Sequence, residues 1–260
     1  MTFALGPRAA QAGHRVRIYD RLDSTNSEAM RLASGGERGP LWIVALEQTL
    51  GRGRQGREWI SGDGNLAVSL LLTLAVTPAV AATLGFVGSL AVAQMCRTLV
   101  PGIAVAQKWP NDVVSNDGKV AGLLLESEAQ QGGLVLVVGI GVNLVAAPQG
   151  MAYPAAALSN GRNPIGVAAA LSVLADSWID YMAIWDGGRG FGEIRRLWLD
   201  QAGGIGQSVQ VRMGSRVISG QFETLDQEGR LILRVTDGTR SVISAGDVFF
   251  GDGASVGAAS

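Results

Sequence analysis

Lys, Arg, Asp and Asn side chains crowd three short stretches where a buried core would not tolerate them. They are Gly51-Arg52-Gly53-Arg54-Gln55-Gly56-Arg57-Glu58-Trp59, Lys108-Trp109-Pro110-Asn111-Asp112 and Lys119-Val120-Ala121-Gly122. In the first, three arginines are threaded through three glycines. Glycine lets a backbone approach a ligand closely and adopt positive φ. The planar arginine fork matches a carboxylate or phosphate two bonds at a time. The stretch therefore predicts a flexible cationic loop that wraps an anion. In the second, Pro110 keeps Trp109 out of helical geometry and displays Lys108, Asn111 and Asp112 at the end of a strand, although Pro-Asn-Asp is equally good turn chemistry. In the third, Gly122 follows Lys119 inside a strand, where glycine marks close approach of a ligand. Gly139-Ile140-Gly141-Val142-Asn143 adds a polar Asn143 at the end of an apolar strand.

Several function classes are excluded. Gly51, Gly53 and Gly56 satisfy the spacing of a dinucleotide-binding turn, which needs a following helix and an acid about twenty positions on. A turn and a strand follow instead, and no acid occurs between Gly64 and Asp112. Hydrophobic residues make up 47 %, charged residues 17 %, and the formal net charge is -1. That balance argues against a nucleic-acid partner. Cys96 and His14 are the single cysteine and histidine, too few for a disulfide or a structural zinc site. No metal ligand is assigned. A reducing cytoplasm is the expected location, because residues 1–13 lack an apolar stretch of signal-peptide length.

The uncharged run Gly64–Cys96 has the length of a bilayer span, but its pattern splits. Leu66, Val68, Leu70, Leu72 and Leu74 alternate with Ala67, Ser69 and Thr73, a strand; Thr77-Pro78 then opens a helix carrying Val80, Leu84, Val87, Ala91 and Met95. No membrane partner is expected. Strands are predicted at 16–19, 41–46, 103–107 and 134–140. A hairpin is predicted around Asn116-Asp117-Gly118, linking 113–115 to 119–125. A helix over 25–32 opens on a Thr25/Glu28 capping box. Residues 146–163 read as a mobile loop, and 167–185 and 191–198 as amphipathic helices whose Trp178, Trp185 and Trp198 belong to the core. After Gly204 short strands alternate with turns, a small β-barrel, and 251–260 reads as a disordered tail. Hairpins with interspersed helices mean α+β, with a mixed, mostly antiparallel sheet.

Together these residues resemble the biotin–protein ligases. The resemblance rests on Ser24-Thr25-Asn26, Gln48 ahead of the Gly51–Arg57 stretch, Lys108–Asp112, Lys119–Gly122 and Gly139–Asn143, in family order and spacing over roughly residues 15 to 250. Gln55 departs from the pattern, since arginine is frequent there. The resemblance implies a class II aminoacyl-tRNA synthetase-like catalytic domain over 15–203 and a C-terminal SH3-like barrel over 204–250. The extension 1–14 leaves no room for the N-terminal helix-turn-helix of the repressor members.

The implied reaction joins biotin to ATP as biotinyl-5′-AMP and then passes the biotinyl group to a lysine of a biotin carboxyl carrier domain. Magnesium accompanies ATP. Catalysis is implied for Lys119, Arg52, Arg54 and Asp112. Biotin contacts are implied for Ser24, Thr25, Asn26, Gln48, Arg52, Gly53, Arg54, Lys119 and Gly122. ATP contacts are implied for Arg54, Arg57, Asn111, Lys119 and Asn143. A homodimer is left open. Two alternatives stand beside this reading: a lipoate or octanoate ligase of the same architecture, and a non-catalytic biotin-sensing protein, which leaves Lys119 with Asp112 unexplained.

Overall fold

Alternation along Leu66–Leu74 sets the two faces of the molecule. The computed structural model describes residues 3–151, 153–159 and 164–250. Its elements run α1 (Pro7–Gln11), β1 (Arg15–Leu22), α2 (Thr25–Ser34), β2 (Leu41–Gln48), β3 (Leu66–Leu74), α3 (Pro78–Ala82), α4 (Leu84–Leu99), β4 (Val105–Lys108), β5 (Asp112–Ser115), β6 (Gly118–Gln130), β7 (Gly133–Val142), α5 (Val167–Trp185) and α6 (Phe191–Leu199). Then follow β8 (Ser208–Met213), β9 (Arg216–Leu225), β10 (Leu231–Arg234), β11 (Arg240–Ile243) and β12 (Asp247–Phe250). The first seven strands form one sheet in the order β1-β2-β3-β7-β6-β5-β4. The β1–β2 pair is parallel and every other pair antiparallel, so the sheet is mixed and mostly antiparallel, as expected.

Leu66, Val68, Leu70 and Leu72 of β3 and Leu134, Leu136 and Val138 of β7 belong to the main core with α4, α5 and α6. The alternate residues Leu71, Val135 and Val137 pack with Ala29 and Ala33 of α2 on the opposite face. Trp178, Trp185 and Trp198 are fully buried, as the helical spacing predicted. The stretches 78–99 and 167–188 are long and apolar enough to cross a bilayer, yet Leu84, Val87, Leu90, Leu171 and Leu174 are buried between helix and sheet. The remaining strands form a second, antiparallel sheet, β11-β10-β9-β8-β12. Its β9–β10 turn is held to the first sheet by Trp109 Nε1, which donates to Gly229 O at 3.0 Å, and the segment leading into β8 by Gln107 O, which accepts from Gly203 N–H.

Three expectations change. The helix expected from Pro78 is two helices, because Thr83 turns its hydroxyl onto Val80 O and accepts from Trp185 Nε1 at 2.7 Å. The capping box does not form: Ser24 is the N-cap, and the Thr25 hydroxyl is drawn away to Gln48 and Ser69. Glu28 binds Tyr19 and Arg31 instead. The supposedly mobile loop is pinned where it is described, since Lys119 N–H donates to Pro154 O and Ala156 N–H to Lys119 O. Its residues 152 and 160–163, and the tail 251–260, lie outside the described residues.

A short helix, α1, stands within the expected extension. It is held by Asp176 of α5, which accepts from Ala9 N–H at 2.9 Å and lies 3.8 Å from Arg8 Nε. Asp176→Ala strands that buried donor and is expected to destabilise the protein by about 1–3 kcal/mol. An unchanged Tm in thermal unfolding would show that α1 contributes nothing.

Candidate active site

Register places one line of residues across five strands. Lys108 pairs with Asp112, Asp112 with Gly122, Gly122 with Gly141, and Gly141 with Ala67. Residues directly opposite in neighbouring strands share a face. Ala67, Gly141 and Gly122 therefore form a smooth floor that ends in the charged pair Asp112 and Lys108. The next line along, Ser69, Gly139 and Leu124, extends the floor beneath Asn26. A cleft of about 950 Å³, measured with its open mouth, stands on these residues.

The glycines are needed for what lies on them. A Cβ at Gly141 would stand 2.2 Å from the Trp59 indole, and one at Gly139 would stand 2.2 Å from the Asn26 amide oxygen. At Gly122 a Cβ would meet the Lys119 ammonium at 2.9 Å and Trp59 at 3.2 Å. None of the three has positive φ. They are small because side chains and ligand need the space above them.

One end of the cleft is a closed hydrogen-bond network. Gln48 Oε1 accepts from Thr25 N–H at 2.8 Å and from its hydroxyl at 3.1 Å. Ser69 Oγ lies 2.7 Å from Thr25 Oγ1 and 2.5 Å from Asn26 Oδ1. Asn26 Nδ2 donates to Glu126 at 2.7 Å, and so does Arg52 Nη2. Buried polar groups joined this way hold a fixed arrangement of donors and acceptors.

The Gly/Arg stretch is a small hairpin. Gly53 N–H donates to Arg57 O at 2.7 Å, and Trp59 N–H donates to Gly51 O at 2.9 Å. Gln55 (φ 56°) and Gly56 (φ 72°) turn it through the left-handed region. Carboxylates hold both ends across the cleft: Arg52 lies on Glu126 of β6, and Arg57 Nη2 on Asp247 of β12 at 2.7 Å. Arg54 donates to Asn111 Oδ1 at 3.0 Å and reaches Gly246 O. Burial lowers its pKa, with Asp247 and Asp112 opposing.

Lys119 Nζ lies 2.8 Å from Asp112 Oδ1, with the rings of Trp59 and Tyr153 5.6 and 5.3 Å away. Ser24, Thr25, Asn26, Gln48, Arg52, Gly53, Arg54, Arg57, Asn111, Asp112, Lys119 and Gly122 all line this single cleft. Asn143 does not. It is buried behind β6, donating to Lys119 O at 3.3 Å and Ala156 O at 3.2 Å, and its Oδ1 has no partner.

Sequence reasoning passed over Ser69, Glu126, Trp59 and Asp247. The first two are polar residues in apolar strands, a usable signal. Asp247 gave none, being 190 residues from its partner Arg57. Among the described residues no three His, Cys, Asp or Glu side chains converge on one point.

Fixed hydrogen-bonding groups at one end of a small-residue floor, and cations at the other, suit the joining of a small carboxylic acid to a phosphate. Comparison with known proteins agrees. Residues 18–143 match the Biotin/lipoate A/B protein ligase family, and residues 204–251 match the Biotin protein ligase C terminal domain. A biotin--[acetyl-CoA-carboxylase] ligase of Paracoccus denitrificans is 41 % identical over 239 residues, covering 89 % of this chain and 98 % of the relative. The biotin protein ligase of Aquifex aeolicus, solved with biotin and ATP, superposes with a TM-score of 0.76 at 25 % identity, covering 91 % of this chain and 98 % of that one. That of Leishmania major, solved with biotinyl-5-AMP, gives 0.63 at 25 % identity, covering 89 % and 99 %. The chain belongs to the biotin/lipoate protein ligase family.

Proposed function

We infer that this protein activates biotin with ATP as biotinyl-5′-AMP and transfers the biotinyl group to a lysine of a biotin carboxyl carrier domain. The observation that carries this reading is the single cleft in which the Thr25–Asn26–Glu126 network and the Lys119–Asp112 pair flank a glycine floor. Biotin's ureido ring needs donors and acceptors at fixed positions, which the network supplies. Its carboxylate must approach the α-phosphate, and two anions repel.

Lys119, Arg52 and Arg54 are preorganised positive groups that offset the repulsion as charge develops. Arg57 and Asn111 serve the nucleotide. Asn143 acts from behind, fixing the Lys119 backbone. Magnesium arrives with the triphosphate as part of the substrate. In the second half-reaction the attacking amine must be neutral, and a free lysine is almost wholly protonated at pH 7. Asp112 faces the cleft beside Lys119 and takes the role of base or orienting carboxylate.

The second sheet is read as an SH3-like barrel whose β12 closes the nucleotide end, and the first sheet as a class II synthetase-like catalytic domain. The fully buried Cys96 suits a reducing cytoplasm. The strong likeness to a biotin ligase favours biotin over lipoate or octanoate. Exchange of labelled pyrophosphate into ATP, run with each acid in turn, tests this. Exchange with biotin is expected; exchange with octanoate or lipoate alone would overturn the assignment. Biotin binding without any exchange would point to the sensing protein.

Arg54 bridges the hairpin to Asn111 and β12, so Arg54→Ala is expected to unfasten the hairpin over the adenylate. Biotinyl-5′-AMP should then escape to solvent and label exposed lysines on unrelated proteins. Retention equal to the unaltered protein would remove the hairpin from the mechanism.

A further inference from the structure

Five cations line the cleft, and four of them have an internal carboxylate. Arg52 is on Glu126, Arg57 and Arg54 share Asp247 at 2.7 and 4.0 Å, and Lys119 is on Asp112. The fifth is Lys108, which lines the same cleft. Register sets it opposite Asp112, but Lys119 takes that carboxylate. Among the described residues no carboxylate lies within 4.0 Å of the Lys108 ammonium. Its neighbours are the rings of Phe250 and Phe249 on β12, 5.4 and 5.9 Å away. An ammonium over aromatic faces is held in place without being neutralised. Burial lowers its pKa below the ordinary lysine value, opposed by Asp112 and Asp247. The site thus carries a desolvated cation that no carboxylate of the described residues contacts directly, Asp112 being taken by Lys119 and Asp247 by Arg57.

Its position says which anion. Along the row Gly141, Gly122, Asp112, Lys108, each step is one strand, about 4.8 Å. Lys119 overhangs Gly122; Lys108 lies two strands beyond that floor, further from the biotin end. We propose that Lys108 is the binding residue for the β- and γ-phosphates of ATP and for the pyrophosphate that leaves, steered by the two β12 phenylalanines. This rests on the ligase reading above.

The test needs no turnover. Magnesium pyrophosphate is titrated calorimetrically into the unaltered protein, Lys108→Met and Lys108→Arg, and KM values for ATP and biotin are measured alongside. Lys108→Met should weaken pyrophosphate and raise the ATP KM by about tenfold to a hundredfold, the scale of one charge-assisted contact. The biotin KM should stay within about twofold, and Lys108→Arg should recover most of the loss. If Lys108→Met is poorly folded, Lys108→Gln supplies the same comparison. Unchanged pyrophosphate affinity in a folded Met or Gln variant overturns the role of Lys108, and so does a loss confined to kcat. Pyrophosphate binding that depends on Lys108, without biotin-dependent exchange, would keep the phosphate site and overturn the ligase reading instead.

Discussion

Replacing Lys119 with alanine is expected to slow adenylate formation by about 10²–10³-fold, near 3 kcal/mol of transition-state stabilisation. The main chain at this position should not move, because Pro154, Ala156 and Asn143 all hydrogen-bond to it. What is lost is the ammonium above Gly122, together with the partner of Asp112. The half-buried Asp112 would then face the incoming carboxylate and phosphate uncompensated, adding repulsion to the missing attraction. Biotin-dependent pyrophosphate exchange reports the loss, and the double variant Lys119→Ala/Asp112→Asn separates the two contributions. If Asp112 supplies part of the penalty, the double variant is less impaired in exchange than the single one. Lys119→Arg should not restore the rate, since a broad fork cannot replace a compact point charge in the space over Gly122. Exchange within about threefold of the unaltered protein would remove Lys119 from the chemistry.

A valine at Gly141 is the second large effect, and it works through shape alone. The backbone there is ordinary β structure, and β-branched residues suit strands, so the fold should tolerate the change. The cleft should not. A Cβ at this position would stand 2.2 Å from the Trp59 ring, so the indole must leave the floor and drag the end of the Gly51–Trp59 hairpin with it. Displacing reactive groups by about 1 Å can cost about 10²-fold, and the expected result is a loss of that order in kcat/KM for biotin with Tm nearly unchanged. A variant with full biotin affinity would show that the floor is not where the ligand lies. A large fall in Tm would show instead that Gly141 is needed for packing.

Much of this could be read in the sequence because the signals were local. The period-two alternation of Leu66–Leu74 correctly marked a strand, β3, although both of its faces are buried, and Asn116-Asp117-Gly118 correctly marked the β5–β6 hairpin. The cleft residues carried more than their positions required: glycine within a strand at 122, arginines among glycines at 52–57. What was not legible was produced by distance. Thr25 looks like a helix cap until Gln48 and Ser69, 23 and 44 residues away, claim its hydroxyl. Helix α1 has five residues, too few for a period, and exists because Asp176 receives it. Asp247 holds the hairpin through a contact that no local pattern encodes. The line from Ala67 to Lys108 is a property of strand register, invisible until five strands are paired.

The central claim is that one acyl-adenylate spans the floor from the Asn26 end to the cationic end. A crystal structure of the protein with biotinyl-5′-AMP measures this directly. The ureido ring should lie within hydrogen-bond reach of the Ser24–Asn26 segment, and the phosphate within reach of Lys119 and Arg54. A phosphate bound away from both Lys119 and Arg54 would contradict the account.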